Sequence, residues 1–149
     1  MSTAVEPSPS VRTVPPLSGV QHLGLTVRDV AASEAWYAEV LGLVRAFVEE
    51  HPAGDGYAVV MTRPGSGLFV GLHHHPGANQ ELFTPQRTGL DHLAIQLPSR
   101  ADIDEWITYL DAIGVEHEAV VERTEPAQYA LVLVRDPDGI PIELFWIGG

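Results

Sequence analysis

Two histidines and one glutamate are the residues of this chain whose types and positions could support chemistry. His22 and His92 occupy matching positions of two similar segments, and Glu143 interrupts an apolar run near the end of the chain. Imidazole nitrogens and carboxylate oxygens bind divalent transition metals, and three protein ligands leave coordination positions open for a substrate. We therefore predict a metal site formed by His22, His92 and Glu143. These ligands are compatible with Fe²⁺, Mn²⁺, Ni²⁺, Co²⁺ or Zn²⁺.

An internal repeat supports this prediction. The sequence GVQHLGLTV at 19–27 matches GLDHLAIQL at 89–97 position by position, 70 residues later. Both segments alternate with period two, as half-buried strands do. One face carries aliphatic side chains, and the other carries the histidine followed by small or polar residues. Because such a face is typical of a strand that lines a cavity, we expect His22 and His92 to face a common cavity.

The elements that must position these residues occur in the same order twice. Asp29 and Ser99 are suited to cap helices that end before Gly42 and Gly114, and each helix is followed by three strand-like runs. The predicted helices cover 30–41 and 100–113, and the strands after them cover 43–49, 57–63, 67–73, 116–121, 129–135 and 140–146. This order predicts an α+β fold in which two βαβββ modules pair into a U-shaped cup of mixed sheets.

The predicted domain organisation follows from composition. Residues 1–17 are rich in Pro, Ser and Thr and are expected to form a flexible tail. The first module is predicted at 18–73, a linker at 74–88 and the second module at 89–147. Each module alone is too small to bury much core, so we expect the two to pack together.

Glu143 has an alternative role to metal binding. It lies on the strand face opposite Ile142 and Leu144, in the middle of an apolar run. A carboxylate there is costly unless it is paired, hydrogen-bonded or bound to metal. An ion pair with Arg63 or Arg135 is the alternative. For each strand histidine the alternative is a structural hydrogen bond.

His73 is a candidate fourth ligand, and the repeat leaves its assignment open. Alignment of Gly67 with Gly139 places Gly71 opposite Glu143, whereas the 70-residue offset places His73 there. Gly71 and His73 share a strand face, so His73 could reach the cavity from the end of the strand.

The other histidines are expected to be solvated. His74 and His75 follow His73 directly, and three adjacent histidines cannot all face one way on a strand. His51 and His117 fall near loops or strand starts, where solvent exposure is the simplest expectation.

Composition excludes several classes of function. The net charge is −12, from 20 acidic residues against 8 basic residues, all arginine. Such a surface repels phosphate backbones, so no nucleic-acid partner is expected. The absence of Cys and Lys excludes thiolate ligands, cysteine nucleophiles and Schiff-base chemistry. No apolar run is long enough for a membrane helix, and a cytoplasmic protein with a small-molecule substrate is the expectation.

Several motifs together resemble the vicinal oxygen chelate superfamily. They are HLGLTVRD at 22–29, WY at 36–37, VLGL at 40–43, GLDH at 89–92 and DPDGIPIEL at 136–144. That superfamily includes glyoxalase I, bleomycin-resistance proteins, extradiol dioxygenases, methylmalonyl-CoA epimerase and fosfomycin-resistance enzymes. The resemblance covers about residues 18–147.

The resemblance implies paired βαβββ modules around a divalent metal held by His22, His92 and Glu143. It also implies frequent homodimers, in which the partner chain sometimes completes the metal site. Glyoxalase-type members have a fourth ligand, Glu or Gln, in the last strand of the first module, where this chain has Gly71 or His73.

Other branches of the superfamily also match incompletely. Extradiol dioxygenases commonly place a Tyr upstream of the ligand glutamate, where this chain has Leu133. The Lys and Arg richness of the fosfomycin enzymes is absent, since the chain has no Lys. Bleomycin-resistance members are acidic dimers without the metal ligands. The charge of −12 suits them, and the His-His-Glu set argues against them.

The sequence therefore predicts a divalent-metal-dependent enzyme, a lyase, isomerase or dioxygenase of the glyoxalase type, acting on a small oxygenated organic substrate. Glu143, when it is displaced from the metal during turnover, is also the predicted proton-transfer base. The alternative is a metal-free drug- or metabolite-binding protein of the bleomycin-resistance type.

Overall fold

The chain contains the same βαβββ order twice in a computed structural model that describes residues 14–148. The first module comprises β1 (Leu23–Thr26), α1 (Val30–Leu41), β2 (Val44–Glu50), β3 (Tyr57–Thr62) and β4 (Phe69–His74). The second comprises β5 (Leu93–Gln96), α2 (Arg100–Ala112), β6 (Val121–Arg123), β7 (Tyr129–Arg135) and β8 (Pro141–Ile147). The strand orders are β1-β4-β3-β2 and β5-β8-β7-β6. The predicted α+β fold of two βαβββ modules forming a mixed-sheet cup is confirmed.

Both helices begin where the sequence provides a cap. The Asp29 carboxylate accepts a hydrogen bond from the Ala32 N–H at 3.0 Å, which satisfies one of the free donors of the first turn of α1. In α2 the Ser99 N–H donates to the Asp102 carboxylate at 2.8 Å. Gly42 ends α1 in a left-handed conformation, with φ of 68°.

Each sheet buries its aliphatic face under its own helix. Leu25, Val70 and Leu72 lie on the helix side of the first sheet, and Ile142 and Leu144 lie there in the second. These residues belong to one buried cluster that includes side chains of both modules. Because side chains alternate along a strand, the histidine face of β1 and β5 points away from the helices.

A buried polar junction joins the two modules. Asp136 and Asp138, in the turn between β7 and β8, are each 5% exposed. The Tyr37 hydroxyl donates to Asp136 at 3.0 Å, and the backbone N–H groups of Asp138 and Ile140 donate to its other oxygen at 2.9 Å. Arg28 donates to Asp138 at 2.6 Å from its side chain and at 3.2 Å from its backbone.

Burial dominates the electrostatics of this junction. It raises the pKa of Asp136, and the three donated hydrogen bonds only partly offset that effect. Burial and the neighbouring Asp136 carboxylate also raise the pKa of Tyr37. The Tyr37 hydroxyl therefore stays protonated and remains a donor at any ordinary pH.

The predicted strand at 116–121 was wrong. Only 121–123 forms a ladder, with β7, while His117 makes an isolated bridge to Val134. The Glu118 N–H still donates to the Leu133 carbonyl at 2.9 Å, so the chain touches β7, leaves the ladder at 119–120 and returns to it. The chain thus pairs with β7 at His117 and again at Val121, with an irregular stretch between. In sequence, such an interrupted pairing has the same pattern of apolar residues as a continuous strand.

The predicted tail at 1–17 lies mostly outside the described residues, and 14–17 have no regular secondary structure. In the predicted linker at 74–88, the Phe83 N–H donates to the Asp138 carbonyl at 2.9 Å, which fixes part of the linker to the junction. Within residues 14–148, no helix is long and apolar enough to cross a membrane.

Replacing Tyr37 with Phe is expected to lower the free energy of unfolding by about 1–3 kcal/mol, because it removes one donor from a buried carboxylate. Urea denaturation followed by circular dichroism measures this loss. The control is Tyr57→Phe, at a ring 37% exposed, where we expect a change within about 0.5 kcal/mol. Equal changes in the two variants would contradict a stabilising role of the Tyr37–Asp136 bond.

Candidate metal centre

His92 and Glu143 come together in the second module because β5 and β8 are parallel neighbours. The register pairs Ala94 with Glu143, so the side chains of His92 and Glu143 lie on one face. His92 Nε2 is 3.6 Å from Glu143 Oε2. Two ligand atoms on one cation lie about 3.0–3.4 Å apart for bonds of about 2.0–2.2 Å, so this spacing needs only a small adjustment.

The preceding residue orients the imidazole of His92. The Asp91 carboxylate lies 2.6 Å from His92 Nδ1 and can only accept, so Nδ1 carries a proton and Nε2 is the nitrogen that faces Glu143. Metal-binding histidines commonly donate their second N–H to a carboxylate in this way. The hydrogen bond to Asp91 raises the pKa of His92, and the charge of Glu143 adds to that effect.

His22 repeats this arrangement in the first module. Its Nδ1 is hydrogen-bonded to the side-chain oxygen of Gln21, the residue that corresponds to Asp91. The other ring nitrogen, Nε2, is thereby left free. His22 is exposed at the start of β1 and lines a cavity of about 820 Å³ between the edge strands of the two sheets.

His22 does not meet the other two predicted ligands within one chain. Among residues 14–148, the group of three His, Asp or Glu side chains with ligand atoms within 4.8 Å of one another is a different one. The structure thus brings His92 and Glu143 together and leaves His22 apart from them.

The alternative arginine partners of Glu143 are engaged elsewhere. The Arg63 guanidinium lies 5.8 Å from the centre of the Trp106 ring, and Arg135 is 2.7 Å from Glu118. Leu133 is the residue directly across from Glu143 on β7. The close polar neighbour of the Glu143 carboxylate is therefore His92.

The strand register resolves the ambiguity between Gly71 and His73. In the first sheet β1 pairs with β4 so that Gly24 is opposite Gly71 and Thr26 is opposite His73. Since Ala94 corresponds to Gly24 and is opposite Glu143, Gly71 is the structural counterpart of Glu143. The first module therefore has no carboxylate at that place.

The imidazole of His73 fills the space that these glycines leave. A Cβ built on Gly71 would lie 2.9 Å from His73 Nε2, and one built on Gly24 would lie 3.0 Å from it. A ring nitrogen therefore lies where a side chain at position 71 would begin. Burial lowers the pKa of His73, and the neighbouring His51 and His75 lower it further.

A cluster of three imidazoles is the feature that sequence reasoning missed. His51 Nε2 lies 3.0 Å from His73 Nδ1, and one ring nitrogen from each of His51, His73 and His75 lies within 4.8 Å of the others. The expectation that His51 is solvated was wrong, because the β2–β3 hairpin returns it to the sheet. His73 and His75 share a face by alternation, a signal present in the sequence, whereas His74 faces the other way beside Tyr57.

Comparisons with known proteins bear on this geometry. The family model described as the Glyoxalase/Bleomycin resistance protein/Dioxygenase superfamily matches residues 19–144. A solved glyoxalase/bleomycin resistance protein/dioxygenase domain from Frankia sp. EAN1pec has 32% sequence identity and a TM-score of 0.77, with 89% of this chain and 94% of that one covered. The chain belongs to this superfamily.

Two curated relatives are more distant in sequence. The YaeR protein of Escherichia coli K12 is 28% identical over 87% of this chain and 96% of its own length. Biphenyl-2,3-diol 1,2-dioxygenase 3 of Rhodococcus globerulus is 31% identical over 83% of this chain. The aligned part spans 60% of that enzyme.

Gly56, beside the histidine cluster, is a position where any side chain is expected to destabilise the fold. A Cβ there would lie 2.4 Å from the His74 carbonyl oxygen and 2.6 Å from His51 Nδ1, so strand or ring must move. We expect Gly56→Ala to lower the free energy of unfolding by about 1–3 kcal/mol. Thermal and urea denaturation measure the change. Gly77→Ala, where a Cβ meets no atom within 4 Å, is the control, and an equal effect at both positions would rule out the steric explanation.

Proposed function

We propose that the protein is a divalent-metal-dependent enzyme in which His22, His92 and Glu143 bind the metal and a small oxygenated organic molecule is the substrate. The observation that carries the proposal is the Asp91–His92–Glu143 arrangement, in which Asp91 fixes the tautomer and directs Nε2 to the carboxylate. Imidazole and carboxylate ligands suit Fe²⁺, Mn²⁺, Ni²⁺, Co²⁺ or Zn²⁺.

The bound cation would supply Lewis acidity to two neighbouring oxygens of the substrate. The chain's own residues would then do the remaining work. Glu143, whose side chain is 17% exposed, would on leaving the metal accept a proton from a substrate carbon next to a polarised oxygen. The name of the Rhodococcus relative describes a dioxygenase of biphenyl-2,3-diol, a compound with two adjacent oxygens, which supports this substrate class.

The cavity between the modules offers a place for such a molecule. Its volume of about 820 Å³ lies within the usual range of roughly 300–1,000 Å³ for small-ligand sites. Of the three proposed metal ligands, His22 lines this cavity and His92 and Glu143 do not; the lining mixes apolar side chains with polar ones such as Ser66, Gln96 and Trp106. Such a mixture would hold a small organic ring and orient its oxygens.

A second copy of the chain would complete the metal site. His22 stands apart from His92 and Glu143 within one chain, and all three present donor atoms on the histidine faces of their sheets. Val44, Phe47 and Val48 on the edge strand β2 are each more than half exposed, as is typical of a surface that a partner covers. We therefore include a homodimer in the proposal, with His22 of one copy facing His92 and Glu143 of the other.

The fourth ligand predicted at His73 stays a prediction. Its Nε2 lies over Gly24 and Gly71, toward β1 and His22, which suits that role. Its other nitrogen is hydrogen-bonded to His51.

The second candidate function is a metal-free protein that binds a drug or metabolite. The observation that favours it is Gly71, which leaves the first module without the carboxylate found at Glu143 in the second. Metal content separates the two candidates. A wild-type chain that after reconstitution holds no more Mn²⁺, Ni²⁺, Co²⁺, Zn²⁺ or, under anaerobic conditions, Fe²⁺ than the His92→Ala/Glu143→Gln chain would support the binding protein.

Coexpression of two variants tests whether the site is shared between chains. His22→Ala and His92→Ala/Glu143→Gln chains each lack the site, but a mixed dimer regenerates one intact site from the unaltered residues of both. We expect the mixture to recover about a quarter of the metal that the wild type holds beyond the separate variants, because about half of the dimers are mixed and each has one intact shared site of two. Plasma emission analysis of the purified protein measures it.

The matched control is coexpression of His92→Ala with Glu143→Gln. Both changes fall in the same module, so no pairing of these two chains restores a site. Equal metal recovery in the two mixtures would contradict a shared site. Recovery in neither, with metal bound by the wild type, would place all ligands within one chain.

A further inference from the structure

The three clustered imidazoles lie at one end of the first sheet, on its histidine face. One nitrogen from each of His51, His73 and His75 falls within 4.8 Å of the other two. The ring centres of His51 and His75 are 4.6 Å apart, and those of His73 and His75 are 6.1 Å apart. His92 and Glu143, in the other sheet, are not part of this group.

The position of β3 between β2 and β4 explains how His51, which directly follows β2, meets His73 and His75 at the end of β4. Tyr57 of β3 pairs with Glu50 on one side and His74 on the other, so Gly56 lies in the row between His51 and His75. Ala58 lies in the next row, opposite His73 and Glu49. Because Gly56, directly before β3, and Ala58 within it have the smallest side chains, the three imidazoles can approach one another above this row.

The three histidines of the cluster differ in their solvent exposure. His51 and His73 are half-buried and His75 is exposed. Glu49 lies on the same face in the row of Ala58 and His73, and it contributes negative charge beside the rings. A group of three neutral donors, a nearby carboxylate and one side open to solvent is a suitable environment for a cation with an open coordination position.

We propose that His51, His73 and His75 bind one divalent transition-metal ion of the imidazole-seeking class, Zn²⁺, Ni²⁺, Co²⁺ or Cu²⁺, at a site separate from His92 and Glu143. Three imidazoles suit these ions, whereas Mg²⁺ and Ca²⁺ prefer oxygen ligands. The 3.0 Å between His51 Nε2 and His73 Nδ1 equals the separation of two ligands at about 2.1 Å and a right angle. In the metal-free chain the same two atoms share a proton, which the ion replaces.

In this site His73 would bind the metal of the cluster, and it would not act as a fourth ligand beside His22. A neutral imidazole has one lone-pair nitrogen, so His73 binds through Nδ1 in this cluster or through Nε2 toward β1, but not through both. Occupation of the cluster therefore leaves the proposed catalytic centre with His22, His92 and Glu143 and an open position, as catalytic metal sites require.

The test uses the full-length chain without a polyhistidine tag, in a His92→Ala/Glu143→Gln background that removes the proposed catalytic centre. Equilibrium dialysis against Zn²⁺ measures stoichiometry and affinity, and the visible absorption of Co²⁺ reports its coordination. We expect about one equivalent per chain. His51→Ala and His75→Ala should each weaken binding by more than about tenfold, since loss of even an outer partner costs that much.

His74→Ala is the matched control, because His74 is adjacent in sequence and faces the other side of the sheet. It should leave the Zn²⁺ affinity unchanged. His51→Gln, which keeps a polar side chain of similar size, covers the case in which His51→Ala disturbs the hairpin. The proposal is overturned if the background chain binds no Zn²⁺, or if His74→Ala and His51→Gln weaken binding equally.

The same measurements separate this proposal from the proposed function. If only the catalytic centre is wrong, the wild type and the His92→Ala/Glu143→Gln chain hold equal amounts of Zn²⁺. If only the cluster is wrong, a His51→Ala/His75→Ala chain holds as much Zn²⁺ as the wild type.

Discussion

The buried carboxylate of Asp136 is the interaction on which the relative placement of the two modules depends. A carboxylate 5% exposed is tolerated only because three donors converge on it, and one of them, the Tyr37 hydroxyl, comes from the other module. Asp138 beside it accepts from the Arg28 side chain and backbone. Arg28 follows β1 and Tyr37 lies in α1. The turn between β7 and β8 therefore binds both the end of the first strand and the first helix.

This junction also sets the geometry of the candidate metal centre. β8 starts immediately after the turn and carries Glu143, and β1 ends immediately before Arg28 and carries the histidine face of the first module. The hydrogen bonds of this junction have defined directions, and they act together with the buried apolar cluster that both modules share. The edge strands β1 and β5 are thereby kept apart, with a cavity of about 820 Å³ between them.

The two modules share a scaffold and differ in the side chains of their last strands. The second carries Glu143 opposite Ala94 and holds it beside His92. The first carries Gly71 opposite Gly24, and the space is filled by the ring of His73. A carboxylate–imidazole pair lies in one sheet and a group of three imidazoles in the other, so we assign them separate roles although both bind an overlapping set of ions.

The fold could be predicted from the sequence because its signals are local. Period-two alternation and the caps at Asp29 and Ser99 each depend on a few neighbouring residues, and the repeat shows that the same local signals occur twice. The pairing of His92 with Glu143 could also be predicted, since parallel neighbouring strands bring their matching faces together.

The histidine cluster could not be predicted, because its residues are far apart in sequence and meet only in the folded sheet. His51 reaches His73 only through the length of the β2–β3 hairpin and the small residues Gly56 and Ala58 on the strand between them. The choice between Gly71 and His73 required the strand register, because the last strands of the two modules are offset differently from the first. The strand predicted at 116–121 was misplaced because the irregular stretch before β6 has the apolar pattern of a strand but does not pair continuously with β7.

Anomalous diffraction from crystals of the Co²⁺-loaded chain tests the central claim most directly. The account predicts a peak at the cobalt edge within bonding distance of His92 Nε2 and a Glu143 oxygen, with His22 of a second copy as the next ligand. A Co²⁺-loaded crystal with no anomalous peak beside His92 and Glu143 would contradict it.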